Sequence, residues 1–472
     1  MNVNVPAMSP AAAGWRVAII VGVALGVAYV LSPLTVWFLV SMTLVVRSAR
    51  HGAEGGERRW ITAIVVAGIV ARLAAVAALF LVTDHARVPF GHFFGDEEYF
   101  IRRSIWLRNV ALGRSMHGAD LIYAFDDYSQ TSYLYVLAFV QVLVGPSPYG
   151  VHLLGIGCYI GASVLMFRLV RPALGRVPAL GGLAVLLFLP SQFAWSVSAL
   201  KDPLFFLLTA TTAWLAIAVV RGRSGFWRAA ALAGVVLLAI VLETVRAGGL
   251  VLTIGGVLGG WTIAAIVTRP RLMIAAVVAT PLVLGFALSY PPVQLRIYQG
   301  LQAAARQHWG HIATRGYVYR LLDQRLYEAK AGADDLQAAE AGRFVTRALA
   351  SYVVVPLPWE ARSTAALVYL PEQVVWYVLM ALMPLGLVGA FRRDPLVSSI
   401  LFGYGLLAAV TVAMTGGNIG TLVRHRGLAL PFIVWLSAVG GCDLIRWAWD
   451  RLRHTLGADR DPGPLEVQPT WL

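Results

Sequence analysis

The sequence predicts an all-α protein that crosses a membrane repeatedly, a polytopic helical bundle of about eleven transmembrane helices. Three observations carry this expectation. Only 13% of the 472 residues are charged, against about 25% in a soluble domain, and 58% are hydrophobic, with a mean hydropathy of +0.71. Apolar runs of about 18 residues or more recur along the chain, each long enough to span a bilayer as a helix, whereas barrel strands would be short and alternating. The arginines stand in short clusters at the ends of those runs, where the positive-inside rule places them. That placement accounts for the net charge of +14 without nucleic acid, so no nucleic-acid partner is expected.

Taken in order, Val17 to Val46 is apolar and interrupted only by Ser32-Pro33, which allows one long or kinked helix or a tight hairpin. Arg47 to Arg59 is basic and Gly-rich, and Trp60 to Val82 is a span leading outward to an acidic loop, His85 to Gln130. Thr131 to Gly145 is apolar but short, and is expected to be interfacial or re-entrant. Spans then alternate over Tyr149–Val170, Ala179–Val197, Pro203–Val220, Ala229–Gly249, Leu250–Val267 and Leu272–Ser289. Tyr290 to Pro358 is expected outside the membrane, as amphipathic helices broken near Ala331-Gly332. Ala365–Phe391, Val397–Met414 and Leu428–Leu444 complete the spans, and the tail from Arg446 is polar and expected to be disordered after Leu456. This divides the chain into 1–59, a membrane core at 60–289 with its outer loop at 83–130, an outer segment at 290–358, membrane helices at 359–446 and a tail at 447–472. Met1 to Pro10 has neither a basic n-region nor a cleavage site, so no removed signal peptide is expected. Cys158 and Cys442 lie in or beside apolar runs and belong to no metal or disulfide pattern.

With basic clusters inside, the remaining polar features fall on one face. Phe93-Phe94-Gly95-Asp96-Glu97-Glu98-Tyr99 puts three carboxylates in a row; on a helix beginning near Gly95, Asp96 and Tyr99 share a face. A carboxylate there suits a general base or a divalent cation, and equally a solvated helix start. Lys201-Asp202-Pro203 is a normal helix start and also a charged pair at the mouth of a bundle. Glu243 and Arg246 interrupt apolar sequence and, three apart, can pair or serve a ligand. Arg424-His425-Arg426 follows the Gly-rich loop Gly416-Gly417-Asn418-Ile419-Gly420-Thr421; its arginines run against the positive-inside trend and suit phosphate.

The order of these features resembles the bacterial members of the GT-C superfamily, integral-membrane glycosyltransferases that use polyprenyl-phosphate-linked sugars. The resemblance rests on Gly95-Asp96-Glu97-Glu98-Tyr99, the apolar run ending Gly145-Pro146-Ser147, Pro190-Ser191 leading to Trp195-Ser196 and Leu200-Lys201-Asp202, Pro356-Leu357-Pro358-Trp359-Glu360, and Asn418-Ile419-Gly420-Thr421 with Arg424 and Arg426. It runs loosely from Trp60 to Ala438. It implies an inverting glycosyltransferase at the outer face of the bacterial cytoplasmic membrane. The donor would be a polyprenyl-phosphate sugar, and a glycan, lipid or protein the acceptor. Asp96 maps to the catalytic aspartate, with Glu97 as its rival, and Asp202 to the second acidic position. Tyr99, Lys201, Glu243, Arg246, Arg424, His425 and Arg426 would bind substrate beside membrane lipids, and whether a divalent cation assists is open. Two other readings stand beside it. One is an O-antigen ligase or polysaccharide polymerase using Arg306, His308, His311 and Arg315. The other is a flippase for a lipid-linked sugar, which predicts charges at mid-membrane and internal repeats.

Overall fold

The structure, a computed structural model, describes residues 32–88, 91–92, 94–127, 130–146, 149–313, 317–328, 336–360 and 364–455, with short helical pieces between 15 and 27. Among these the regular structure is helical, apart from one isolated bridge between Val318 and Asn418. Nine of the described helices are long and apolar enough to cross a membrane. They are α2 (Gly55–Val82), α6 (Gly150–Leu174), α9 (Asp202–Arg221), α10 (Gly225–Val245), α11 (Gly249–Thr268), α12 (Pro270–Ser289), α15 (Thr364–Arg393), α16 (Pro395–Thr415) and α18 (Leu430–Thr455).

Two of the eleven expected spans do not appear as single straight helices among the described residues. Ala179–Val197 is not one straight span: α7 (Arg176–Phe188) and α8 (Pro190–Val197) meet at a 60° bend, and counting the pair as one broken span brings the number to ten. Pro190 supplies no backbone donor, and Leu189 before it is driven to the extended conformation. At the N-terminus, Ser32 is extended and α1 (Pro33–Ala49) begins at the proline with 17 residues, shorter than the nine spans. Within the expected run from Val17, residues 17, 24–25 and 28–31 lie outside the described residues, and with them the choice between one span and two.

Other boundaries also move. α18 does not stop near Leu444 but continues to Thr455, helped by Arg451 over Trp447 and Arg453 over Trp449, each pair four residues apart. The tail after Leu456 lies outside the described residues. The segment expected outside the membrane forms α13 (Pro291–Ile312) and α14 (Ala338–Val354); residues 317–328 between them are non-helical except for a single turn at Gln324–Tyr327, so the break begins well before Ala331-Gly332, which itself is outside the described residues.

Small residues let the spans close on one another. A Cβ on Gly386 would lie 1.8 Å from the Leu436 carbonyl oxygen, and one on Gly260 2.7 Å from the Ile400 side chain. These contacts seat α15 on α18 and α11 on α16. α6 is the most enclosed of the spans, with Ile156, Ile160, Phe167 and Val170 buried. The bundle has two polar ends. Arg221, about 30 Å along α9 from Asp202, pairs with Asp394, and on the same end Arg171 pairs with Glu57 and Arg393 with Asp443. At the other end the acidic loop folds as α3 (Gly95–Ala111) and α4 (Gly118–Ala124), packed on α5 (Ser132–Val144). α5 is 13 residues long and below span length, as expected of Thr131–Gly145. Phe100, Leu134, Leu137, Ala199 and Leu200 form a separate small core there, fixing α3 over the turn before Asp202.

Candidate functional site

The site is assembled from four chain reversals at one end of the bundle. α3 begins at Gly95, so its first turn carries Asp96, Glu97 and Glu98 in three directions. Asp96 and Tyr99 face a cavity of about 750 Å³; Asp96 is 69% exposed and Tyr99 accepts from Arg103. Glu97 turns the other way. It is fully buried 3.7 Å from His152, whose ring nitrogens face the carbonyl oxygens of Val197 (2.9 Å) and Gly91 (3.3 Å). The structure therefore separates the two rival carboxylates, Asp96 at the cavity and Glu97 in the packing behind it. Glu98 pairs with Arg102 along the helix. Phe93 lies outside the described residues.

The turn before α9 is held by the Tyr133 hydroxyl, which donates to Ala199 O at 3.1 Å. α9 starts at Asp202 with Pro203 in its first turn, the expected helix start. The Asp202 carboxylate receives two arginines: Arg246 Nη2 donates to Oδ1 at 2.8 Å, and Arg424 Nη2 to Oδ2 at 2.9 Å. Arg424 Nη1 donates to Asp96 Oδ2, also at 2.9 Å. One guanidinium thus spans both carboxylates, which confines their nearest oxygens to within about 8 Å of each other. Asp202, Arg246 and Arg424 are only 15–16% exposed, so this network is desolvated where Asp96 is not. Arg424 also lies over the Trp195 ring at 5.1 Å, which fixes the plane of its fork.

Arg246 does not pair with Glu243, although they are three apart. α10 ends at Val245, Arg246 is extended, and Glu243 instead accepts from the backbone of Gly248 (3.2 Å) and Leu250 (2.8 Å) at the start of α11. Both residues still line the cavity. Lys201 lines it too and, among the described residues, its ammonium makes no hydrogen bond or ion pair. Burial, with Arg246 and Arg424 nearby and Asp202 opposing them, brings its ammonium down to about 8.

α17 (Ile419–Arg426) delivers the late cations. Asn418 caps it by accepting from Gly420 N at 2.9 Å. The glycines before it are there for space: a Cβ on Gly417 would sit 2.6 Å from His308 O, and one on Gly416 2.5 Å from the Tyr319 hydroxyl. His425 lines the cavity, and burial together with Arg246 and Arg424 keeps its ring well below the usual histidine range, hence neutral. Arg426 points elsewhere. It is buried, donates to Gln373 Oε1 (2.9 Å) and to the carbonyl oxygens of Tyr352 (2.6 Å) and Val355, and lies over Trp376 at 4.5 Å. It ties α17 to α14 and α15 and is absent from the described cavity lining.

Of the residues singled out for the ligase reading, His308 is fully buried, with its ring nitrogens on Gly416 O and the Tyr327 hydroxyl, and burial pulls it down to about 4. His311 Nδ1 meets Thr415 O at 2.7 Å, and its ring lies 6.4 Å from that of His425. Arg306 is exposed on α13, and Arg315 is outside the described residues. Sequence reasoning passed over Gln130, Gln307, Thr411 and Thr415, which complete the cavity wall. Neutral amides and hydroxyls, on a loop at Gln130 and on amphipathic or apolar helices at the other three, carry no signal that separates them from ordinary surface.

Chemically the cavity offers two accessible carboxylates, Asp96 and the backbone-bonded Glu243, with a fork of buried arginines and one lysine. Among the described residues no group of three or more His, Cys, Asp or Glu side chains is placed to hold a metal ion. A divalent cation between Asp96 and Asp202 would have to displace Arg424, so the donor set does not fit one and no step is derived through it. No protein-family model and no curated protein sequence matches the chain.

Proposed function

We propose that the chain is an inverting membrane glycosyltransferase that moves a sugar from a polyprenyl-phosphate donor to an acceptor hydroxyl. The reaction would take place at the outer face of a bacterial cytoplasmic membrane, in the glycosylation of envelope or exported polysaccharide. The observation that carries this reading is the Arg424 fork, shared between the exposed Asp96 and the buried Asp202 in one cavity with Arg246 and Lys201.

The roles follow from exposure. Asp202 is held by two guanidinium groups and out of water, so it acts as a fixed counter-charge that aims Arg246 and Arg424. Asp96 is exposed and shares only one arm of Arg424. A donor phosphate entering the cavity competes with Asp96 for that arm, since arginine pairs with phosphate as readily as with carboxylate. Asp96 is then free to take the proton of the acceptor hydroxyl. The hydroxyl oxygen attacks the anomeric carbon, the bond from that carbon to the phosphate oxygen breaks, and polyprenyl phosphate leaves with its charge held by Arg424, Arg246 and Lys201. The outer-face placement is supported by the opposite end of the bundle, which gathers the basic clusters. The apolar helices beside the cavity suit the prenyl chain.

The test is product formation. Purified protein in liposomes, given a polyprenyl-phosphate sugar and a glycan acceptor, is expected to form a glycosidic product. Movement of the donor across the bilayer with no product would favour a flippase and refute the proposal.

A further inference from the structure

A second, unassigned site lies at the opposite end of the bundle. Arg50 closes α1, and Arg58 and Arg59 stand in the first turns of α2, around the mouth of a groove of about 950 Å³. Among the described residues none of the three makes an ion pair. Of the two carboxylates nearby, Glu57 is bound by Arg171 at 2.5 Å and faces Arg176 at 3.5 Å, and the exposed Glu54 makes no ion pair among the described residues. The Arg50 Nε atom is buried with no hydrogen-bond partner. The connecting loop is pinned, because Arg171 Nη2 donates to Gly52 O at 2.7 Å, and Arg50, Arg58 and Arg59 on either side of it line one groove.

Below the arginines the groove turns apolar. Ala63, Val66, Ala67 and Val70 form its floor on the outward face of α2, while Ile61, Val65 and Ile69 on the opposite face are buried in the bundle. From Arg59 to Val70 the helix descends about 16 Å, close to half of the ~30 Å hydrocarbon core, which is the depth of one leaflet. The alanines keep the floor low enough for a chain to lie against the helix. Cations at the headgroup level above an apolar channel one leaflet deep match a molecule that is anionic at one end and a hydrocarbon chain at the other.

We infer that the groove formed by Arg50, Arg58, Arg59 and the Ala63–Val70 face of α2 binds an anionic phospholipid of the leaflet on the basic side. The phosphate is held by the arginines and one acyl chain lies along α2. This site is independent of the reaction proposed above, and its test needs no activity.

The experiment is native mass spectrometry of the full chain, released from bilayers of phosphatidylglycerol or of phosphatidylcholine, with retained lipid counted. Wild type is expected to retain phosphatidylglycerol at least tenfold more than phosphatidylcholine. Arg58→Gln/Arg59→Gln should remove that preference through the charge, and Ala67→Trp should remove it with every arginine in place, by blocking the floor. Equal retention by wild type and the double variant would overturn the inference. So would retention unaffected by Ala67→Trp but displaced by millimolar inorganic phosphate, which would mark an anion site without a lipid. A cysteine at Val66 that cross-links to residues 1–31 in bilayers, and not to a photoactivatable phosphatidylglycerol, would assign the groove to the chain's own N-terminal segment and also overturn it.

Discussion

The two aspartates that share Arg424 should respond very differently to neutralisation. Asp96 is 69% exposed and makes one ion pair, at 2.9 Å. Pairs of that kind contribute about 0–1 kcal/mol, so Asp96→Asn should change stability by less than about 1 kcal/mol. Asp202 accepts from Arg246 and Arg424, and all three side chains are 15–16% exposed. Asp202→Asn leaves the buried Arg246 guanidinium without its counter-charge and Arg424 with only the exposed Asp96, a loss of about 3–5 kcal/mol. A double-mutant cycle isolates the pairs. Arg424→Gln combined with Asp202→Asn should show a coupling of about 1.5–3 kcal/mol, and combined with Asp96→Asn less than about 1 kcal/mol. The assay is denaturant unfolding of wild type and the five single and double variants in one detergent without donor, followed by tryptophan fluorescence. Couplings of equal size, or an Asp96→Asn variant as unstable as Asp202→Asn, would refute the division into an exposed reactive carboxylate and a buried holding one.

Three further outcomes are expected. Lys201 titrates at about 8, so its charge is present below that pH and lost above it: affinity for a polyprenyl-phosphate donor should fall as pH rises through 8, and Lys201→Met should abolish that step. The same depressed value means that an unfolded chain keeps this proton to about 10.4, so the Lys201 contribution to stability should rise between pH 8 and that point, measured as wild type minus Lys201→Met. His308→Ala removes a buried ring bonded to Gly416 O and the Tyr327 hydroxyl; it should cost about 2–4 kcal/mol in unfolding, and the folded fraction should keep the wild-type rate. In a Cys442→Ser background, a cysteine at Ala119 should react with an impermeant thiol reagent on intact cells and one at Arg223 should not; the reverse would put the cavity on the cytoplasmic side.

The membrane bundle was legible because helix length and charge placement are set by the bilayer, which acts on composition alone. The short α5 and the two polar ends followed from the same reasoning. The 60° break at Leu189-Pro190 was signalled by the proline, yet proline is tolerated in spans often enough that hydropathy absorbed it. The site was legible in its charges. Asp96, Asp202, Arg246 and Arg424 stand out against apolar sequence because each is costly there, and the fold joins them in one network. What sequence left open was direction. Asp96 and Glu97 are neighbours in the chain and end on opposite sides of α3; Arg424 and Arg426 are two apart and end in different environments. Spacing of one or two on a helix separates faces, but which face meets the cavity is decided by packing partners distant in the chain. Glu243 and Arg246 show the same limit: helix spacing favoured a pair, and the helix ended between them.

The central claim is that Asp96 carries the proton transfer. The most direct measurement is single-turnover transfer from a polyprenyl-phosphate sugar by wild type, Asp96→Asn and His311→Ala at matched folded concentration. The amide keeps the size and polarity of the carboxylate and removes the base, so transfer by Asp96→Asn should fall by about 10² or more while donor binding persists, and His311→Ala should stay within several-fold of wild type. Wild-type transfer by Asp96→Asn together with a dead His311→Ala would contradict the account and move the chemistry to the histidines of the outer segment.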